Sequence, residues 1–311
     1  MLQRFPVIVG PTAGGKSQLA MALAARLEAT GHGPAEIVSM DSMQVYRGMD
    51  IGTAKPTPAE RAQVVHHLID IVEPNQAFTV EHWLGLAERT ITDIRMRSGT
   101  PIVVGGTHLY AKALLEGLFE GPGPDPALRA ELEGWSIAQL RAELDRIDPA
   151  AAARIHPNDR RRTVRAIEVH RQTGKPISQL QSQWDQGQRR NDALLVILDW
   201  PAEAINPRIN ARVREMMAAG LLEEVRRLVP AMGPQAREAL GYKQLLAHLA
   251  GVVPLDDAVE SIKIETRRFA KAQRTWLRRL GAAGCTERIA GPQATAEQTT
   301  QHLVKSLLIA P

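Results

Sequence analysis

The sequence contains little cysteine, few aromatic residues and no long apolar run. Its 311 residues include a single cysteine, Cys285, which excludes an internal disulfide and a cysteine-rich zinc finger. Aromatic residues make up 4% of the chain, so the core must be built from aliphatic side chains and methionine. No apolar stretch approaches the roughly 20 residues that span a bilayer, and the N-terminal residues show no signal-peptide pattern. These absences predict a cytoplasmic protein without membrane contact.

Apolar residues are plentiful, and the charge is unevenly placed. They make up 44% of the chain, enough for a substantial core in one large domain or in a core with a smaller module. The formal net charge is +4, which by itself indicates a nucleic-acid partner only weakly. The arginines, however, crowd into residues 154–171 and 267–279. Clustering of this kind is the stronger indication of an anionic partner.

Apolar runs alternate with helical patterns in the first part of the chain. Strands are predicted at residues 5–9, 36–40 and 101–104, and helices at 17–29 and 79–97. Strands that alternate with helices are typical of a mostly parallel sheet. The pattern therefore predicts an α/β fold, with a mostly parallel sheet flanked by helices as in the P-loop NTPases.

A proline- and glycine-rich break at residues 120–126 interrupts this alternation. The pattern beyond the break is helical as far as about residue 183, and a strand returns at 194–198. The chain is therefore predicted to have a discontinuous catalytic core, residues 1–119 and 194–311, and an all-helical insertion, residues 120–193. Long helices are expected at 206–229 and 254–280, and a final helix at 294–309.

A glycine-rich loop follows the first strand and opens the first helix. Its pattern, which ends in Gly-Lys-Ser, is that of a phosphate-binding loop. Glycines allow backbone N–H groups to converge on phosphate oxygens, and the helix adds its positive dipole end. A lysine supplies a full positive charge there, and Ser17 can hold Mg²⁺. The loop residues are Gly10, Pro11, Thr12, Ala13, Gly14, Gly15, Lys16 and Ser17.

Asp41 follows the second predicted strand. Ligands of open α/β sheets collect at the carboxyl ends of the strands, so Asp41 is a candidate site residue. The carboxylate could hold Mg²⁺ through water, as in nucleotide hydrolases and kinases, or accept a proton from an attacking nucleophile. Position alone leaves both roles open.

Several blocks, taken together, resemble the tRNA dimethylallyltransferase (IPP transferase) family of bacterial type. They occur in order over residues 10–278, which makes the resemblance far more specific than a phosphate loop alone. One departure is Ala272, at a position where relatives usually carry arginine. The blocks are Gly10–Ser17, DSMQVYRGMDIGTAKP at 41–56, Val104–Tyr110, Ile155–Asp159 with Arg165–Glu168, Leu240–Lys243 and Gln273–Arg278.

The resemblance implies a reaction. The phosphate loop would hold the diphosphate of dimethylallyl diphosphate rather than ATP, with Mg²⁺ on Ser17 and with Arg212 as an additional diphosphate ligand. The acceptor would be the exocyclic N6 amine of adenosine 37 in tRNA. Asp41 would be the general base, Thr107 would hydrogen-bond near the reacting amine, and Lys16 would stabilise the leaving diphosphate.

The resemblance also implies where tRNA binds, and the chain is expected to act as a monomer. The helix predicted near 159–172 places cations at its N-terminal end, where the helix dipole disfavours them, so an anionic partner is expected there. Tyr242 could stack on an unpaired base or could equally be a core ring with a wet hydroxyl. The residues expected to contact the anticodon stem-loop are Asp41, Ser42, Met43, Gln44, Arg161, Arg162, Arg165, Gly241, Tyr242 and Lys243.

Three alternatives remain open. An ATP-dependent small-molecule kinase would use the same loop, and spacing alone does not exclude it. A prenyltransferase acting on free adenine nucleotides would not need the basic segment 154–171. A non-catalytic RNA-binding regulator would not need Lys16, Asp41 and Thr107 together. The adjacent histidines His66 and His67 receive no role, because neighbouring residues of a strand point to opposite faces.

Overall fold

In a computed structural model of the chain, the structure describes residues 4–118, 121–181, 189–281, 286–291 and 296–309. Cys285 lies outside the described residues. Within them, no helix is long and apolar enough to cross a membrane.

A six-stranded sheet forms the centre of the fold. Its strand order is β3-β2-β4-β1-β5-β6, and every pair of neighbouring strands is parallel. The prediction of a mostly parallel α/β sheet flanked by helices is therefore confirmed. The strands are β1 (Phe5–Val9), β2 (Ala35–Ser39), β3 (His66–His67), β4 (Thr100–Gly105), β5 (Ala193–Asp199) and β6 (Thr286–Ala290).

The two edge strands were not predicted from the sequence. β3 has only two residues, and β6 carries Glu287 and Arg288 at positions where an interior strand would be apolar. Strands at a sheet edge are only partly covered, so their sequences lack the continuous apolar run that marks β1, β4 and β5. A search of the sequence for apolar runs therefore finds buried strands and misses short, polar edge strands.

Helices cover both faces of the sheet. Alternate strand residues point to opposite faces, so Val7 and Val103 belong to one core cluster while Ile8 and Ile102 belong to the other. The helices of this part are α1 (Lys16–Ala29), α2 (Pro58–Gln63), α3 (Val80–Met96), α4 (His108–Glu116), α10 (Ala202–Ala218), α11 (Leu221–Leu228), α12 (Pro234–Arg237), α13 (Tyr242–Leu249), α14 (Leu255–Leu280) and α15 (Ala296–Leu308), with a 3-10 turn at Val229–Ala231.

The helix expected at 206–229 is two helices. Gly220 has a φ of 96°, in the left-handed region, so α10 ends before it and α11 begins at Leu221. Glycine adopts this conformation at little cost. The apolar periodicity continues across the break, which explains why the sequence indicated one helix.

The described chain divides into two compact units, Met1–Leu115 with Arg190–Pro311, and Glu116–Arg189. These boundaries lie four residues before those expected from the proline-rich break and the returning strand. The described part of the second unit contains only helices, which pack on a core of its own that includes Leu140, Leu144 and Ile167. They are α5 (Pro126–Glu133), α6 (Ile137–Ile147), α7 (Pro149–Arg154), α8 (Arg160–Thr173) and α9 (Ile177–Leu180).

Candidate active site

A cavity of about 410 Å³ lies in the first unit, at the carboxyl ends of the strands. The loops after β1, β2 and β4, the segment 238–241, and residues of α10 and α14 contribute to its lining. The cavity brings together residues that are far apart in sequence, as expected for a ligand site in an open α/β sheet. The predicted site residues that line it are Thr12, Ala13, Lys16, Ser17, Asp41, Ser42, Met43, Gln44, Thr107, Arg212 and Gly241.

Two residues of the phosphate loop have backbone conformations in the left-handed region. Ala13 and Gly15 have φ values of 60° and 83°, and α1 begins immediately afterwards at Lys16. At Gly14, an added Cβ would lie 2.8 Å from the carbonyl oxygen of Pro11. The loop therefore curls tightly in front of the first turn of α1, which is the arrangement in which N–H groups and a helix dipole attract an oxyanion.

Three side chains from distant elements fix this loop. Trp200 Nε1 donates to Gly14 O at 3.0 Å, and Arg208 Nε donates to Ala13 O at 2.9 Å. Gln273 Oε1 accepts from Thr12 N at 2.8 Å. Only Gln273 lies in a block that the sequence analysis singled out, and none of the three was assigned a role there. Their contribution depends on how β5, α10 and α14 fold back on the loop.

Lys16 and Arg212 place positive charge beside the loop. Lys16 Nζ donates to Pro11 O at 2.9 Å. Burial, together with the nearby Arg212 guanidinium and against the attraction of Asp41, lowers the pKa of Lys16 to about 8. Burial also lowers the pKa of Arg212, against the attraction of Asp41 and Glu215. Two cations held close together in a partly buried site favour a multiply charged anion between them.

Asp41 begins a tight turn after β2. Its Oδ1 accepts from Met43 N at 2.8 Å and from Gln44 N at 3.3 Å. Among the described residues, no donor hydrogen-bonds Oδ2. One carboxylate oxygen therefore fixes the orientation of the group, and the other can accept a proton from a ligand in the cavity.

Thr107 lies next to this turn. Its Oγ1 accepts from Ser42 N at 3.0 Å and donates to Ser42 Oγ at 3.4 Å. The two strand-end loops approach closely because Gly105 has no side chain: a Cβ there would lie 2.0 Å from Met40 O. Thr107 thus connects the β4 loop to the Asp41 turn, and its hydroxyl lines the cavity.

The segment after the Asp41 turn is held by buried polar groups. Gln44 accepts from Ser39 Oγ at 2.9 Å and donates to Thr53 O and Ala54 O, both at 3.2 Å, so its amide is engaged within the protein. Lys55 is buried and pairs with Asp50 and Asp70. Much of the 41–56 block therefore shapes the cavity wall through internal contacts.

Glu224 of α11 anchors the same segment from outside. Its buried carboxylate accepts from Asp50 N at 3.0 Å, Ile51 N at 2.8 Å and Gly52 N at 3.2 Å, and from the Tyr242 hydroxyl at 2.5 Å. No sequence motif indicated this residue. A single carboxylate that accepts from three backbone N–H groups and a buried hydroxyl is a strong constraint on the loop.

We expect Glu224→Ala to lower the free energy of unfolding by about 3 kcal/mol, because the buried Tyr242 hydroxyl and three backbone N–H groups lose a charged acceptor. Urea unfolding monitored by circular dichroism would measure the loss. Glu223→Ala is the matched control, since Glu223 is exposed and pairs with Arg226 on the same helix; its change should stay within about 0.5 kcal/mol. Equal losses in the two variants would contradict the anchoring role.

The structure decides between the two interpretations of Tyr242. Its ring is 0% exposed and its hydroxyl donates to Glu224, so it is a core ring rather than a stacking surface for a base. The hydroxyl is hydrogen-bonded within the protein, whereas the prediction of a core ring expected it to contact solvent. The ring packs where Gly52 leaves space, since a Cβ at Gly52 would lie 2.4 Å from it. Lys243 is exposed and pairs with Glu238 at 2.7 Å.

In the helical unit, the arginines that were predicted to contact RNA differ in their exposure and in their partners. Arg161 and Arg162 are exposed on the first turn of α8, and Arg162 lies 3.4 Å from Asp159. Arg165 instead donates to the buried Glu168 and to Pro122 O, both at 2.7 Å, so its guanidinium is engaged within the helical unit.

The cation excess at the start of α8 also has an internal explanation. Arg160 donates to three carbonyl oxygens at the C-terminal end of α5, those of Leu132, Glu133 and Trp135. Asp159 caps α8 by accepting from Arg162 N. Arg161 and Arg162 therefore remain the exposed cations of this turn that an anionic partner would contact.

Three histidines of this part of the structure received no role from the sequence. His66 lines it from β3, and His67 Nε2 lies 2.6 Å from Glu36 Oε2 on β2. His108 follows Thr107 and stacks on Trp276, with 4.9 Å between ring centroids. Burial and the charge of Lys16 lower the pKa of His108 to about 4, so the imidazole is neutral near pH 7. Nothing in a single sequence distinguishes these residues from ordinary core histidines.

The fold and the cavity define an α/β protein with a phosphate-binding loop, in which a fixed carboxylate shares the site with the loop cations. The chain belongs to the IPP transferase family, whose model matches residues 44–280. The phosphate loop and Asp41 precede the matched range.

Similar proteins support this placement. A tRNA dimethylallyltransferase of Geobacter sulfurreducens is 48% identical over 280 residues, which cover 88% of this chain and 88% of that relative. The full-length tRNA isopentenylpyrophosphate transferase of Bacillus halodurans has a TM-score of 0.70 at 36% identity, covering 98% of this chain and 97% of its own. A eukaryotic dimethylallyltransferase acting on tRNA has a TM-score of 0.80 at 27% identity, with coverages of 97% and 77%.

Proposed function

We propose that this chain transfers a dimethylallyl group from dimethylallyl diphosphate to N6 of adenosine 37 in tRNA and releases diphosphate. The observation that carries the proposal is the cavity itself. It holds the phosphate loop with Lys16 and Arg212 beside Asp41 and Thr107, so a diphosphate and a nucleophile fit into one space. The names of the relatives, tRNA dimethylallyltransferase and tRNA isopentenylpyrophosphate transferase, support the same reaction.

The apolar part of the cavity suits the prenyl group. Ile209, Val213, Met216 and Ile262 line it next to the polar residues of the loop. An apolar surface beside a polar phosphate site matches a ligand with a five-carbon hydrocarbon at one end and a diphosphate at the other. A nucleoside triphosphate would instead place a polar ribose against these side chains.

The proposed reaction is a displacement at carbon. The amine nitrogen bonds to C1 of the prenyl group while the C1–O bond to diphosphate breaks, and the bonding electrons leave with the diphosphate oxygen. Lys16, Arg212 and the loop amides stabilise the charge that grows on that oxygen. The amine becomes acidic as its bond to carbon forms, and Asp41 Oδ2 accepts its proton. Thr107 holds the Asp41 turn in place through Ser42.

Mg²⁺ fits the oxygen donors of this site. Ser17, whose hydroxyl is such a donor, lines the cavity beside Lys16. Mg²⁺ in phosphate sites keeps several waters and takes only one or two protein ligands, so a cluster of carboxylates is not required. Ser17 would hold the ion against the diphosphate, and the ion would add positive charge where the leaving group develops negative charge.

The tRNA would contact the exposed cations. Arg161 and Arg162 on α8 and Lys243 on α13 are the predicted contact residues that remain exposed. Phosphate contacts of this kind position an RNA and make its binding depend on salt. The target base must leave its stack to reach the cavity, at a cost of a few kcal/mol that these contacts offset.

A labelling assay tests the proposal. Purified protein is incubated with Mg²⁺, radiolabelled dimethylallyl diphosphate and one of three acceptors: unmodified tRNA, the same tRNA with guanosine at position 37, or AMP. Label in the first tRNA alone is the expected result. Label in AMP would assign the chain to free-nucleotide prenyltransferases. No label in any acceptor, together with hydrolysis of ATP in a parallel incubation, would favour the kinase.

The lowered pKa of Lys16 predicts a pH dependence. Lys16 of the free protein loses its proton as the pH rises through about 8 rather than near 10.5, the ordinary value for lysine. Affinity for inorganic pyrophosphate should therefore stay level below pH 8 and weaken by about tenfold per pH unit above it. Titration calorimetry between pH 7 and 10 measures the slope. Lys16→Met should remove it, and a slope that persists in this variant would assign the titration to another group.

A further inference from the structure

Gln273 connects the two halves of the candidate site. Its side chain is 1% exposed, on the face of α14 that also presents Ile262, Thr266 and Phe269 to the cavity. Its Oε1 accepts from Thr12 N at 2.8 Å, and its Nε2 donates to Gly106 O at 3.0 Å. One planar amide therefore bridges the phosphate loop after β1 and the loop after β4.

The two bridged loops have different tasks in the proposed reaction. The loop after β1 holds the leaving diphosphate. Gly106 directly precedes Thr107, which in turn holds the Asp41 turn. The strands β1 and β4 are hydrogen-bonded neighbours, but both loops leave the sheet, so the strand pairing does not fix the distance between them. The Gln273 amide spans this gap.

Gly106 has the size that this bridge requires. A Cβ at Gly106 would lie 2.6 Å from Gln273 Nε2 and 3.7 Å from Lys16 Nζ. Any side chain there would push the Gln273 amide away from the loop. The glycine and the glutamine are therefore complementary parts of one contact.

We propose that Gln273 is a positioning residue that sets the separation between the diphosphate and the attacking amine. The inference rests on the proposed function and deepens it. A rigid bridge contributes to rate by holding the reacting atoms in line, and a displacement of about 1 Å can cost roughly 100-fold. Ground-state binding of diphosphate depends on the loop itself and on its cations, so it should change far less.

The experiment compares Gln273→Met with Gln235→Met. Gln235 is a matched control, because its amide also makes one accepted and one donated backbone hydrogen bond, from Phe78 N at 3.0 Å and to Phe78 O at 2.9 Å, yet it does not line the cavity. For Gln273→Met we expect kcat for prenyl transfer to tRNA to fall about 100-fold. The dissociation constant of inorganic pyrophosphate should stay within about threefold of wild type. Gln235→Met should leave kcat unchanged, whatever it does to stability.

Gly106→Ala tests the bridge from the opposite side and is expected to lower kcat about tenfold, again with pyrophosphate binding preserved. If the wild-type protein is active and Gln273→Met keeps a kcat within threefold of it, the inference about Gln273 is overturned and the proposed function stands. Parallel losses of kcat and pyrophosphate binding would also overturn it, since they would make Gln273 a structural support of the phosphate loop. A wild-type protein that labels no tRNA would overturn the proposed function and this inference with it.

Discussion

Asp41→Asn should lower kcat for transfer to tRNA by roughly 10²–10⁴, the range that a general base contributes. The substitution is nearly isosteric. The amide oxygen can still accept from Met43 N, so the turn after β2 is retained. The amide cannot accept the amine proton. Single-turnover assays with labelled dimethylallyl diphosphate would measure the rate of the chemical step directly.

The comparison with Asp41→Ala separates the two roles of this side chain, which are to accept the amine proton and to hold the turn after β2. Alanine removes the base and the turn, so any further loss beyond Asp41→Asn measures the turn. Asp257→Asn, at an exposed position near the start of α14, is the matched control and should retain wild-type activity. Activity of Asp41→Asn within tenfold of wild type would assign the proton transfer to another group or to water.

Lys16→Met should reduce kcat/KM for dimethylallyl diphosphate by about 10³-fold. Removal of one charge-stabilising donor costs about 10² to 10³, and a full positive charge in a partly buried site lies at the upper end of that range. Methionine keeps most of the volume and removes the charge. Steady-state assays at several diphosphate concentrations would separate the loss in binding from the loss in rate.

The control for this change is Lys305→Met, at an exposed position of α15, which should leave both constants unchanged. Arg212 would still lie beside the loop in Lys16→Met, so some pyrophosphate binding should remain. A variant with wild-type pyrophosphate affinity and a rate within tenfold of wild type would show that the loop amides and Arg212 carry the diphosphate without Lys16.

Local sequence patterns determined the class of fold and the position of the phosphate loop. The interior strands are continuous apolar runs because both faces of the sheet are covered, and such runs are visible in a single sequence. The loop at 10–17 is recognisable because its glycines, Lys16 and Ser17 act within eight consecutive residues. The carboxyl end of β2 likewise marked Asp41, since strand ends in such sheets point to one edge.

The tertiary structure decided which distant residues support the site. Gln273, Trp200 and Arg208 reach the phosphate loop across 261, 186 and 195 residues of sequence, a separation at which no local pattern carries information. It also decided that Tyr242 is a core ring and that Arg165 is tied to Glu168. A polar residue on a helix has the same sequence signature whether it faces solvent, RNA or a buried partner. Its role depends on what the fold packs against it, because an unpaired buried polar group is costly and a paired one is stabilising.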